Sequence, residues 1–178
     1  MKQRLNEKLT LFFNPNFPKK YVKSSKKKYN VTIGIGGNIG NVKRRFDKLL
    51  LSLEQNSNFD VIATSALLQN PPFGYLEQND FINGIVILKT NLSVNSFFKS
   101  MQRLENRYGR KRSFQDAPRT LDIDIIFFDN QKINTKKLTI PHKNWANRES
   151  VIIPLKQIQN NKLLYIQFLK KNFVKGEK

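Results

Sequence analysis

Hydrophobic residues recur along this chain with two different periods. Val31, Ile33 and Ile35 alternate with small or polar neighbours, which predicts a first strand with one apolar face. Val42, Phe46, Leu49, Leu50 and Leu53 follow the stripe of an amphipathic helix. Phe59 to Leu68 predicts a second strand and Phe81 to Leu88 a third. Ser93 is placed to cap a helix that carries Phe97, Phe98, Met101, Leu104 and Tyr108 on one side, and Gly109 ends it. Leu121 to Phe128 predicts a fourth strand, closed by a turn at Asp129-Asn130. Beyond it come a short strand at Leu138–Ile140, a Pro-His loop and a segment around Val151–Leu155. In the tail, Leu163, Leu164, Ile166, Phe168 and Leu169 predict a last strand or helix.

The order is β-α-β-β-α-β with further elements appended. This is an α+β pattern of the ferredoxin-like kind, a mostly antiparallel sheet with helices packed on it as an α/β/α sandwich. Residues 1–29 show no sustained period and contain Asn14-Pro15 and Phe17-Pro18, so they read as an N-terminal extension. Residues 30–178 read as a single domain.

Composition narrows the class. The formal charge is +19. Residues 1–30 hold +8 of it and residues 156–178 a further +5, so much of the basicity lies in the flanks. Such flanks read as solvated tails, with a nucleic-acid arm as the alternative; no aromatic or glycine is interleaved as single-strand binders require. The chain has no cysteine, which removes disulfides, zinc-thiolate sites and cysteine nucleophiles. No apolar run approaches a membrane span, and Leu9 to Phe13 is too short for a signal-peptide core. A cytoplasmic monomer is expected.

The chemistry concentrates between Gly109 and Asp129. Arg110, Lys111, Arg112 and Arg119 lie in a polar loop that runs into the fourth strand. Strand alternation puts Asp122 and Asp124 on one face and Leu121, Ile123 and Ile125 on the other. Two carboxylates side by side on an apolar strand repel each other and resist burial. A hard divalent cation relieves both problems, and forked guanidinium groups suit a polyphosphate. The bland alternatives are ordinary ion pairs and a solvated charge run. His142, the only histidine, stands in a loop beside Lys143 and close to Arg148, where it can donate to a phosphate or simply face solvent. Gly34, Gly36, Gly37 and Gly40 read as surrounding a tight turn. Ile39 excludes the dinucleotide fingerprint, and no Gly-Lys-Ser/Thr follows to make a Walker A loop. Asn70 to Tyr75 and Asp80 to Asn83 offer aromatic faces and amides suited to a flat heterocycle.

Taken together, Ile35–Gly40, Asn70–Gly74, Asp80–Asn83, Gly109–Arg112, Ala117–Asp124 and Leu138–His142 resemble the 6-hydroxymethyl-7,8-dihydropterin pyrophosphokinases, in that family's order across residues 31–155. The resemblance implies transfer of the β,γ-pyrophosphoryl group of ATP to the pterin hydroxymethyl, with release of AMP. It implies two magnesium ions held by Asp122 and Asp124, and catalytic arginines at Arg110 and Arg119. It implies nucleotide contacts at Gln102, Glu105, Arg112, Thr139, His142 and Arg148. Asn70, Pro71, Pro72, Phe73, Phe81 and Asn83 would form the pterin site. The loop would hinge near Gly109 and Pro118.

The chain departs from the family at several points. Ser150 stands where an aromatic usually stacks on the pterin, with Trp145 nearby as a substitute. The loop's usual tryptophan is missing and Phe114 is its nearest aromatic. Lys143 replaces a frequent tyrosine. Two other readings stay open: a basic ferredoxin-like nucleic-acid binder, for which no aromatic signature is found on the central strands, and a weakly active pterin or nucleotide binder on the same fold. On the enzyme reading, deleting residues 1–29 leaves turnover intact.

Overall fold

The computed structural model describes residues 1–159 apart from 22, 23, 112, 113 and 115. The elements run β1 (Lys2–Arg4), β2 (Thr10–Phe12), β3 (Lys19–Lys20), β4 (Tyr29–Gly37), α1 (Val42–Glu54), β5 (Phe59–Thr64), β6 (Leu67–Asn70), β7 (Phe81–Thr90), α2 (Val94–Arg107), β8 (Asp122–Phe128), β9 (Ile133–Asn134), β10 (Thr139–Ile140), a 3₁₀ turn at Trp145–Asn147 and α3 (Glu149–Gln159). The main sheet is ordered β1-β2-β6-β7-β4-β8, with β5 also on β7 and β3 on β5. Every pairing is antiparallel. The β4-α1-β5 and β7-α2-β8 units interleave around the centre, which is the expected α+β, ferredoxin-like arrangement. The predicted segment Leu163–Leu169 lies outside the described residues. No helix among the described residues is long and apolar enough to cross a membrane.

α1 and α2 each start on a side-chain cap. Asn41 accepts the Arg44 N–H at 3.1 Å and Ser93 accepts the Ser96 N–H at 3.3 Å, satisfying donors that the first turn leaves open. α1 and α2 bury their stripes on one face of the sheet, where Phe46, Phe97 and Phe128 are wholly covered. Phe97 meets Phe59 and Phe128 edge-on at 5.5 and 5.6 Å, the favoured geometry of aromatic pairs. α3 covers the opposite face, with Val151 and Ile158 against Ile85, Ile126 and Phe127.

Three local expectations are corrected, and one segment of open type is defined. The predicted second strand is two: Ser65 interrupts it, its hydroxyl accepting the Ile85 N–H at 2.9 Å while its own N–H reaches Ile85 O at 3.0 Å. The segment around Val151–Leu155 is helical. Gly34, Gly36 and Gly37 are not in a turn but inside β4, and only Gly40 takes the left-handed conformation of a turn glycine, with φ of 68°.

The last correction concerns the N-terminus. Residues 1–21 are not a solvated tail. β2 extends the sheet beside β6, through Thr10↔Gln69, Leu11↔Leu68 and Phe12↔Leu67. Leu9 and Leu11 are buried with Ala66 and Leu68, and Phe17 is wholly buried against Phe46. Removing residues 1–29 would strip these contacts and bare the β6 edge, so such a deletion carries a cost to the fold that the sequence did not announce.

Candidate active site

The site is built on the central strand. β4 lies between β7 and β8, and Gly36 faces Asn83 on one side and Asp122 on the other. Gly34 faces Ile85 and Asp124. A Cβ on Gly36 would come within 2.6 Å of Asn83 Oδ1, and one on Gly34 within 3.3 Å of Ile126 Cδ1. The two glycines therefore leave a bare strip of backbone onto which the neighbouring strands lean their polar groups. Above it opens a cleft of about 410 Å³, walled by the start of α3 and by the loops after β6 and before β8.

Asp122 and Asp124 project into this cleft from β8, as alternation predicts, while Ile123 and Ile125 go to the core behind. Arg110 bonds both Asp122 and Glu105. Glu105 reaches there because it continues the buried stripe Phe97, Met101, Glu105 of α2, and its Oε1 also accepts the Ile123 N–H at 2.8 Å. Burial works against the Arg110 charge, yet Asp122 and Glu105 outweigh it and hold the guanidinium more firmly protonated than usual. Arg119 Nε lies 3.5 Å from Asp122 Oδ2, and Arg148 Nη1 lies 3.7 Å from Asp124 Oδ2.

Burial, then the Asp122 charge, pushes the Asp124 carboxyl up to about 7, against the pull of Arg148 and Arg119. The Asp124 carboxylate is thus under-stabilised in the bare protein, chiefly by desolvation. Among the described residues no three His, Cys, Asp or Glu groups converge as a complete metal cage. Two carboxylates suit a cation that takes its other ligands from phosphate and water, which is the habit of magnesium. Arg119 Nε and Arg148 Nε are buried without a hydrogen-bond partner among the described residues, so the cleft also holds unspent donors for an anion.

His142 Nε2 lies 4.0 Å from Asp124 Oδ2. Its Nδ1 accepts the Asn144 N–H at 3.4 Å, which assigns the ring proton to Nε2. Burial, then Arg148 and Lys143, lowers its pKa, so the ring is neutral at pH 7 and faces the site as a donor.

The other end of the cleft is aromatic and amidic. Asn83 Nδ2 donates to Asn70 Oδ1 at 2.7 Å, joining β7 to the end of β6. Phe81 is buried beneath Arg119, and Phe73 stands 74% exposed at the mouth. Asn38 ties the two covering loops together. It is 6% exposed, donates to Gln78 Oε1 and Asn79 O at 2.8 and 3.0 Å, and accepts the Arg119 N–H at 2.9 Å. Gln78 then donates to Asp116 O at 3.0 Å, and Tyr75 meets Phe114 edge-on at 5.3 Å.

The cleft therefore brings together Asn70, Pro71, Pro72, Phe73, Phe81, Asn83, Arg119, Asp122, Asp124 and Arg148. Arg110 and His142 join through the two aspartates, and Glu105 through Arg110. Gln102 is elsewhere, in a second cavity of about 870 Å³ lined also by Leu138, and Thr139 is next to it in sequence. Arg112 lies outside the described residues. Trp145 does not wall the cleft; it packs edge-on against Phe127 at 5.0 Å, so it cannot replace an aromatic at Ser150, which does line the cleft. Sequence reasoning gave no role to Asn38, whose burial on a polar loop carries no periodic signal, or to Lys8, whose segment shows no sustained period.

The 7,8-dihydro-6-hydroxymethylpterin-pyrophosphokinase family model matches residues 32–160. The chain is 40% identical over 153 residues to a 2-amino-4-hydroxy-6-hydroxymethyldihydropteridine pyrophosphokinase of Helicobacter pylori, covering 85% of this chain and 92% of that one. A protein of the same name from Campylobacter jejuni is 40% identical over 131 residues, covering 74% and 83%. One from Bacillus subtilis is 33% identical over 126 residues, covering 71% and 75%.

Proposed function

The chain belongs to the 7,8-dihydro-6-hydroxymethylpterin-pyrophosphokinase family, and from that premise we propose how its cleft divides the work. The protein is an ATP-dependent pyrophosphokinase of folate biosynthesis, transferring pyrophosphate from ATP to the hydroxymethyl group of the dihydropterin. The observation that carries the assignment of roles is the placement of Asp122 and Asp124 on one face of β8, over Gly36 and Gly34, with guanidinium groups on the two carboxylates and the paired amides Asn83 and Asn70 on the far side of the glycine strip.

Asp122 and Asp124 hold two magnesium ions. The chemistry such ions supply is charge neutralisation and in-line orientation of the phosphate chain. Arg110, Arg119, Arg148 and neutral His142 bind the phosphate oxygens, the first held in place by Glu105. Because the transferred group is so anionic, positioning and charge stabilisation do most of the catalysis. Asn83 and Asn70 bond the polar edge of the pterin, with Pro71 and Pro72 at its rim and Phe81 and Phe73 against its faces. The adenosine end of ATP lies toward Thr139 and the second cavity at Gln102, with Arg112 counted among the nucleotide contacts. Loops tied through Asn38 exclude water from the pyrophosphoryl donor. We place the reaction in the cytoplasm, where ATP is supplied, and expect a monomer.

The test is AMP release from ATP, with and without 6-hydroxymethyl-7,8-dihydropterin, in magnesium and again in EDTA. AMP that requires both pterin and magnesium is expected. Asp122→Ala and Asp124→Ala should each lose at least ~10²-fold in kcat while the circular dichroism stays native. Retention of most activity by both variants would remove the metal assignment.

A further inference from the structure

The N-terminal hairpin reaches the substrate cleft, and its reach depends on how it is anchored. Asn6 Oδ1 accepts the N–H groups of Lys8 and Leu9, each at 2.8 Å, which fixes the turn between β1 and β2. Leu9, 4% exposed, is buried with Ala66 and Leu68, and Ile153 of α3 packs against that cluster. The β2–β6 register, continued by two residues past Thr10↔Gln69, brings Lys8 level with Pro71. There its side chain lines the same cleft as Asn70, Phe81 and Ser150. Among the described residues its ammonium makes no hydrogen bond or ion pair, so the charge is available to a ligand.

We propose that Lys8 is a pterin-contacting residue, its stem and cation covering the ring from the wall where α3 offers Glu149, Ser150 and Val151 and no aromatic. This rests on the pyrophosphokinase reading of the cleft. Phosphate is the more familiar partner of a lysine, but position decides against it here. β2 is four strand positions from β8, on the order of 19 Å, whereas a lysine side chain reaches about a third of that. The phosphate-directed groups Arg110, Arg148 and His142 all lie against Asp122 or Asp124 of β8, Arg148 reaching from there over the Phe73 ring at 5.8 Å. Lys8 instead shares the end of the cleft with Asn70. A flat, electron-rich heterocycle suits it, since a cation lies favourably over such a face and four methylenes cover apolar ring surface.

The experiment measures the Kd of 6-hydroxymethyl-7,8-dihydropterin by titration calorimetry, in the presence of magnesium and a non-hydrolysable ATP analogue, for the full chain and for Lys8→Ala and Lys8→Arg. Lys8 is exposed, so both variants should fold, and an unchanged thermal midpoint checks this. Lys8→Ala should weaken pterin binding about 10-fold with no matching loss of ATP-analogue affinity, and Lys8→Arg should restore most of it. Unchanged pterin affinity in Lys8→Ala, or an equal loss of nucleotide affinity, overturns the proposal while leaving the enzyme assignment standing. A full chain that binds nucleotide but no pterin overturns both.

Discussion

Arg119 lies over Phe81, its guanidinium carbon 5.0 Å from the ring centroid, while its Nε stays 3.5 Å from Asp122. The ring face proposed for the pterin is therefore covered by the arginine proposed for the phosphates. A heterocycle stacking on Phe81 must displace that guanidinium toward the nucleotide.

From this follows a split in the effects of Arg119→Ala. Removing the side chain clears the ring, so pterin Kd should stay level or fall. The same change deletes a preorganised charge contact, so kcat should drop at least ~10²-fold. Single-turnover rates and pterin titrations on one preparation separate the two. A weaker pterin Kd with normal kcat would mean that Arg119 binds substrate and takes no part in transfer.

Asp124 gives the bare protein a pH signature. Its carboxyl is raised from the ordinary 3.8 to about 7, by burial and then by Asp122. An acid with a higher pKa folded than unfolded takes up protons on folding between those values, so its contribution to stability falls as pH rises from about 4 to about 7. In EDTA, Tm should decline across that window more steeply for the natural chain than for Asp124→Asn. Magnesium competes with the proton, so saturating magnesium should flatten the difference. Identical Tm profiles for the two proteins in EDTA would show that Asp124 titrates normally.

Asn38→Ala should act on stability and rate together. It leaves Gln78 Oε1, Asn79 O and the Arg119 N–H without their partner inside a covered loop. The expected cost is about 1–3 kcal/mol, read as a lower urea midpoint at unchanged m-value. Because Arg119 loses one of its backbone ties, keeping only those from its carbonyl to the N–H groups of residues 38 and 39, kcat should fall as well. Normal kcat in the destabilised variant would separate the loop clasp from catalysis.

Gly36→Ala tests the bare strip of β4. The new methyl would meet Asn83 Oδ1 at 2.6 Å and force that amide off Asn70. Pterin affinity should drop at least ~10-fold while the nucleotide Kd holds. Equal affinities would show that Asn83 can swing aside at no cost to binding.

Local signals carried much of this picture. α1 and α2 announce themselves because their apolar stripes repeat over several turns, and Asp122 and Asp124 because a strand has only two faces. What escaped depends on partners distant in sequence. Glycines at 34, 36 and 37 look like turn residues locally, yet Asn83 and Thr120 are what forbid a side chain at 36 and 37. The break at Ser65 hides inside a run that is buried on both faces, where no alternation survives. β2 is three residues long, and its pairing with β1 and the distant β6 reveals it. Gln102 belongs to the same helix as Glu105, but it continues the stripe of Asn95, Phe98 and Lys99 that lines the second cavity, beside the buried stripe of Phe97, Met101 and Glu105.

The hairpin's place beside β6 also orders events in time. A chain growing from its N-terminus displays Leu9 and Leu11 long before β6, and longer still before Ile153 of α3, exists to cover them. Closing that loop is entropically slow, because the paired residues are far apart in sequence. Until it closes, β6 presents an open strand edge, the kind of surface on which neighbouring chains pair with one another. The segment that completes the substrate cleft is thus also the one that seals the sheet, and yield on expression should respond to Leu9 and Leu11 before activity does.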